Sequence, residues 1–125
     1  MIIAIGIDLV EVSRLEEVFA RRGERFCARV FTEGEVTYCE SLGAKFPSYA
    51  ARFAAKEAVM KALGTGWSAG VGWKDIEVIS QPGGAPRIKL HKRALDRMRE
   101  IGASRVHVSL THSGNLAIAQ VILEA

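Results

Sequence analysis

Glu57 and Lys61 stand four residues apart in the run Arg52-Phe53-Ala54-Ala55-Lys56-Glu57-Ala58-Val59-Met60-Lys61, which has the composition of a helix. Four residues bring a helix back to within about 40° of its starting direction, so the two charges share a face. Far upstream, Asp8 follows Gly6-Ile7 in an otherwise apolar, strand-like run. A carboxylate there is costly to bury without a partner. Two carboxylates and an ammonium are what a magnesium-dependent phosphoryl-type transfer needs. Magnesium is held by one or two carboxylates, with waters and substrate phosphates completing its shell. Taken singly, each feature has a plainer reading: Glu57 and Lys61 as a surface ion pair worth ~0.3–0.5 kcal/mol, Asp8 as the cap of a turn.

Period and punctuation define the elements that must position these groups. Met1 to Val10 alternates as a strand, with Ile3, Ile5, Ile7 and Leu9 on one face, predicted to be core, and Ala4, Gly6 and Asp8 on the other. The small second face lets another element approach the backbone beside Asp8. Ser13-Arg14-Leu15-Glu16 is a capping-box pattern predicting a first helix to near Gly23, and Thr32-Glu33-Gly34-Glu35 is another, predicting a short helix to near Gly43. Pro47 introduces the longest helix, to about Leu63, with Gly64 at the C-cap position. Its small residues Ala51, Ala55, Ala58 and Ala62 form a stripe that should pack on the small face of the first strand and bring Glu57 to Asp8.

Beyond the glycine-rich loop (Gly64, Gly66, Gly70, Gly72) the pattern shortens. A strand at Ile76 and Val78, a turn at Gln81-Pro82-Gly83-Gly84 and a strand from Pro86 to Leu90 precede a helix through Leu95, Met98 and Ile101. Val106, Val108 and Leu110 alternate as a strand, Ser113-Gly114-Asn115 turns the chain, and Leu116 to Leu123 closes it. Helices and strands do not alternate regularly, which predicts an α+β fold: a largely antiparallel sheet with a long helix packed on it.

The 125 residues read as a single domain spanning 1–125, and 49% hydrophobic with 25% charged residues is the balance of a folded protein. The apolar runs fall well short of the ~20 residues that span a bilayer, and no secretory signal is legible, so a cytoplasmic protein without membrane attachment is expected. Cys27 and Cys39 lack metal or redox spacing and read as reduced thiols. The net charge is +3, and basic residues cluster: Arg14, Arg21, Arg22, Arg25 and Arg29 in one stretch, seven Lys or Arg between Arg87 and Arg105 in another. Such patches point either to a polyanionic partner or to solvated helix faces.

Together, Gly6-Ile7-Asp8 with Arg14, Arg52-Phe53-Ala54-Ala55-Lys56-Glu57-Ala58 with Lys61, Gly64-Thr65-Gly66, Gly84-Ala85-Pro86 and the segment Val106 to His112 resemble the holo-[acyl-carrier-protein] synthases, small bacterial 4'-phosphopantetheinyl transferases. The resemblance runs the length of the chain. It implies the 4'-phosphopantetheinyl transferase-like fold and a reaction in which the phosphopantetheine arm of coenzyme A passes to a serine of apo acyl carrier protein, releasing adenosine 3',5'-bisphosphate, in support of fatty-acid biosynthesis. By the same resemblance Asp8 and Glu57 are ligands of Mg2+, Lys61 contacts phosphate, and Arg52 and His112 bind coenzyme A phosphates. Gly64, Gly84 and Pro86 also fall at coenzyme A positions, and Arg14, Arg21 and Arg25 on the first helix dock the acidic carrier. Larger relatives carry an acidic residue two positions after the first aspartate; here Val10 stands there, so a third protein ligand to the metal is missing. Short length and Val10 together point to the small bacterial type, and the resemblance to that type implies a homotrimer with sites between subunits.

Two rival classes would draw on the same residues. A nucleic-acid-binding module would use the basic charge, but aromatic residues make up only 7% of the chain and no zinc-finger or aromatic-basic motif occurs. A magnesium-dependent phosphohydrolase would use the same carboxylates with water as nucleophile, and would not need an acceptor protein.

Overall fold

The computed structural model describes residues 1–66 and 69–125. Strand β1 (Ile2–Glu11) leads into helices α1 (Val12–Val30), α2 (Glu33–Glu40) and α3 (Lys45–Leu63). A short 3-10 turn at Trp73–Asp75 precedes the hairpin of β2 (Ile76–Ile79) and β3 (Arg87–Leu90). Helix α4 (Lys92–Glu100) and the hairpin of β4 (Arg105–Ser113) and β5 (Leu116–Glu124) complete the chain. The expected α+β order holds, but the strands form two antiparallel sheets, β1-β5-β4 and β2-β3.

Helix α3 is the centre of the molecule. Ala51, Ala55, Ala58 and Ala62 are all buried, and the helix backbone comes so close to β1 that a Cβ on Gly6 would lie 1.9 Å from the Ala58 carbonyl oxygen. This contact reverses the predicted orientation of β1. Its small face, Gly6 and Asp8, is inside, while Ile5 and Ile7 are 57% and Leu9 53% exposed. Close packing on a helix backbone needs absent side chains, and that requirement outweighs the hydrophobicity of the isoleucines. Ile5 and Leu9 stand opposite Ile122 and Ile118 of β5, leaving an uncovered apolar stripe across the sheet.

The first helix also departs from expectation. It continues past Gly23, which kinks it with φ 51° and ψ −130°, to Val30. Ser13 is not its cap. Instead Asn115, in the β4–β5 turn, accepts from the Ser13 N–H through Oδ1 at 2.9 Å, and its backbone oxygen takes the Val12 N–H at 2.8 Å. The second capping box forms as predicted: Thr32 Oγ1 accepts from Glu35 N–H, and Glu35 Oε1 accepts from Thr32 N–H.

Glu35 also anchors α3. Its fully buried carboxylate lies 2.8 Å from the Lys56 ammonium and takes the Val78 N–H on its other oxygen. Lys56 donates in addition to the carbonyls of Trp73 and Ile76. Burial pulls the Lys56 pKa down, against the opposing pull of Glu35. One buried ion pair thus joins α2, α3 and β2 and fixes the rotation of the helix that carries Arg52, Glu57 and Lys61.

Candidate active site

Asp8 and Glu57 meet as the small-residue stripe predicts. Asp8 Oδ1 accepts from the Lys61 ammonium at 2.9 Å, and Lys61 donates also to the Ile7 carbonyl at 3.0 Å. Asp8 Oδ2 is buried with no hydrogen-bond partner. Glu57 is half-buried beside Asp8. Burial first, and the neighbouring Asp8 carboxylate second, push its pKa up to about 7, with Lys61 opposing. Among the described residues no cluster of three or more His, Cys, Asp or Glu is placed to hold a metal. The available donors are these two carboxylates, which suits a hard cation that keeps several of its waters. The orphaned buried Asp8 Oδ2 beside a second carboxyl fits such a cation.

Arg52 lies elsewhere. It is five residues from Glu57 on α3, which points it about 140° away around the helix. It is not a helix-surface charge: only 6% is exposed. Nη1 donates to Ser48 O and Oγ, Nη2 donates to Ser80 Oγ, and the guanidinium stands over the Tyr38 ring. Nε is buried without a partner. A cavity of about 450 Å³ brings Arg52 together with Gly84, Pro86 and His112, and its wall includes Tyr38 and Ser80. Four residues from distant parts of the sequence therefore share one hollow. Gly64 is not part of it. Its φ of 72° closes α3, and the N–H groups of Gly64, Thr65 and Gly66 turn back onto the Lys61 and Met60 carbonyls as the helix cap.

Arg14, Arg21 and Arg25 divide between two neighbouring hollows. Arg14 lines a groove with Glu57, Leu15, Phe26 and Phe53. Despite the kink at Gly23, Arg21 and Arg25 converge on a cavity of about 560 Å³ that shares Phe26 and Phe53 and includes Trp73, which stacks on Phe53 at 5.0 Å between ring centroids. A basic, aromatic-floored surface thus runs from the kink to the carboxylates.

Glu35, Lys56, Tyr38 and Ser80 were not legible as parts of this arrangement. Glu35 and Lys56 carried one signal, being charged residues inside predicted helices. Ser80 and Tyr38 carried none, since only the packing of β2 and α2 on α3 places them at Arg52.

The fold that places the two carboxylates, the ammonium on Asp8 and the separate arginine hollow around one central helix is a fold that known proteins share. The profile of the 4'-phosphopantetheinyl transferase superfamily matches residues 4–121, and the chain belongs to that superfamily as a phosphopantetheinyl transferase. The holo-[acyl-carrier-protein] synthase of Koribacter versatilis is 46% identical over 99% of this chain and 99% of its own. Among solved structures, the holo-[acyl-carrier-protein] synthase of Neisseria meningitidis superposes with a TM-score of 0.90 at 31% identity, covering 100% of both chains. That of Helicobacter pylori, in complex with coenzyme A, gives 0.84 at 32% identity over 96% of this chain and 99% of that one.

Proposed function

We propose that this protein, acting as one domain, transfers the 4'-phosphopantetheine moiety of coenzyme A to a serine of apo acyl carrier protein, with Mg2+, releasing adenosine 3',5'-bisphosphate. The setting is fatty-acid biosynthesis in the cytoplasm. The observation that carries this reading is that, among the described residues, the buried side-chain polar atoms lacking a partner are Asp8 Oδ2 and Arg52 Nε. One is negative and suits a cation; the other is positive and suits an anion. Coenzyme A brings a pyrophosphate that would carry the cation and a 3'-phosphate that would meet the arginine. The Helicobacter relative binds coenzyme A, and the curated relatives are named for the carrier protein.

Bound at Asp8 and Glu57, Mg2+ would neutralise the charge that builds on the pyrophosphate during transfer. Lys61 uses two N–H groups on Asp8 and Ile7 and keeps one for a phosphate oxygen. The carrier serine oxygen attacks the phosphorus bearing the pantetheine arm, and the bond to the bridging oxygen of the bisphosphate breaks. Glu57, or a water beside it, takes the serine proton. Arg14, in the same groove as Glu57, faces the acidic carrier, with Arg21 and Arg25 extending the contact. Arg52 and Glu57 point to different sides of α3, which supports a donor site completed by a neighbouring copy. The uncovered Ile5, Ile7 and Leu9 stripe is the surface on which copies would meet as a homotrimer.

The test is mass spectrometry of intact apo carrier protein incubated with the enzyme, coenzyme A and magnesium. A gain of one phosphopantetheine arm is expected. Splitting of coenzyme A without acceptor would favour the hydrolase instead.

A further inference from the structure

We infer that Ser80 and Tyr38 are positioning residues that set Arg52 to select a 3'-phosphorylated adenosine donor over its dephosphorylated form. The inference rests on the reading that Arg52 meets the 3'-phosphate. Among the described residues, the hydrogen-bond and ring partners of the Arg52 guanidinium are neutral: the Ser48 carbonyl and hydroxyl, the Ser80 hydroxyl and the face of Tyr38. No carboxylate among the described residues pairs with it. A buried guanidinium held only by neutral acceptors is oriented while its charge stays uncompensated, and it gains most from an anion entering its cavity.

Ser80 has a double part in this. A hydroxyl offers one donor and two acceptor positions. Accepting from Arg52 Nη2 uses an acceptor position and leaves the O–H to donate into the cavity that Ser80 lines. Ser80 follows β2 directly, and β2 is pinned by the Val78 N–H to Glu35, so the hydroxyl sits on a rigid support. Tyr38 supports the guanidinium plane from α2, its ring centroid 4.6 Å from the Arg52 Cζ. That contact needs the ring and not the phenol oxygen. Two elements other than α3 therefore fix one cation, which reduces the freedom lost when a phosphate binds.

The test is calorimetric titration of the intact protein with adenosine 3',5'-bisphosphate and, separately, adenosine 5'-monophosphate. Ser80→Ala and Tyr38→Leu should each weaken the bisphosphate about tenfold and change the monophosphate by no more than about twofold. Tyr38→Phe and Ser80→Thr should restore the wild-type preference. Equal weakening of both nucleotides, or no weakening of either, overturns the inference and leaves these side chains as packing. Arg52→Met separates the two levels. If it abolishes the preference for bisphosphate while Ser80→Ala and Tyr38→Leu keep it, only the positioning inference falls. If Arg52→Met keeps the preference, the underlying assignment of Arg52 falls as well.

Discussion

The Lys61 ammonium is bonded to Asp8, at 2.9 Å, and not to Glu57, its neighbour one turn back on the same helix. The helix pair that spacing offers is thus replaced by a bond across to β1. Glu57 is left beside a carboxylate with its proton affinity raised, and the Lys61 side chain, 56% exposed, stands at the edge of the pair, where a phosphate can reach it.

Proton and metal must compete at this pair. With Glu57 at about 7, magnesium affinity should rise roughly tenfold per pH unit up to pH 7 and level off above it. Glu57→Gln should remove that slope, and Asp8→Asn and Glu57→Gln should each lower turnover roughly a hundredfold or more while the fold is kept. The folded pKa lies above the ordinary 4.5, so Glu57 favours the metal-free fold below pH 4.5 and loses that contribution as pH rises through 7. Thermal melts of metal-free Glu57→Gln should therefore gain on the wild type between pH 5 and 8. Isothermal titration with magnesium checks the first part; a pH-independent affinity would refute it.

Gly6→Ala should be costly far beyond an ordinary strand substitution. The new Cβ would meet the Ala58 carbonyl at 1.9 Å, forcing β1 from α3 and Asp8 from Glu57. A loss of about 1–3 kcal/mol or more is expected in urea unfolding, together with weakened magnesium binding. Unchanged metal affinity would show that the close approach does not set the site.

Breaking the buried ion pair from one side should be severe. Lys56→Met or Glu35→Gln should each cost about 3–5 kcal/mol, because the remaining group keeps its burial and loses its partner. Removing both charges together, as Lys56→Met with Glu35→Leu, should recover part of the loss, while the Thr32 and Val78 N–H groups remain unpaired. Chemical denaturation of the three variants measures this.

Arg14→Glu and Arg21→Glu should raise the carrier-protein KM roughly tenfold and flatten its salt dependence, leaving the KM for coenzyme A unmoved. Steady-state kinetics at several salt concentrations decide it. A change confined to coenzyme A binding would place these arginines in the donor site instead.

Ile7→Asp should separate copies of the chain without unfolding them. Ile7 is 57% exposed and opposite Gln120, so the folded protomer has little to lose there. Sedimentation should show a fall to the mass of one chain, with activity lost in parallel. A variant that stays assembled would exclude this face as the meeting surface.

Much was legible from residue order alone, because it depends on local rules. Helix α3 with its Gly64 cap, the Thr32 box, both hairpins and the fourth helix follow from period, capping chemistry and turn residues. The pairing of Asp8 with Glu57 followed from matching a small strand face to a small helix stripe. Other features are set by packing between segments distant in sequence. Alternation showed that β1 has two faces but not which lies inside; the approach of α3 to Gly6 decided that and left the isoleucines exposed. Capping patterns located the start of α1, but Asn115, about a hundred residues on, supplies the cap. Sequence named Arg52 as a phosphate-binding candidate. Only the convergence of α2 and β2 on α3 showed that it is buried among neutral partners, with its charge directed at a cavity, because burial and the absence of a counter-charge are properties of the assembled fold.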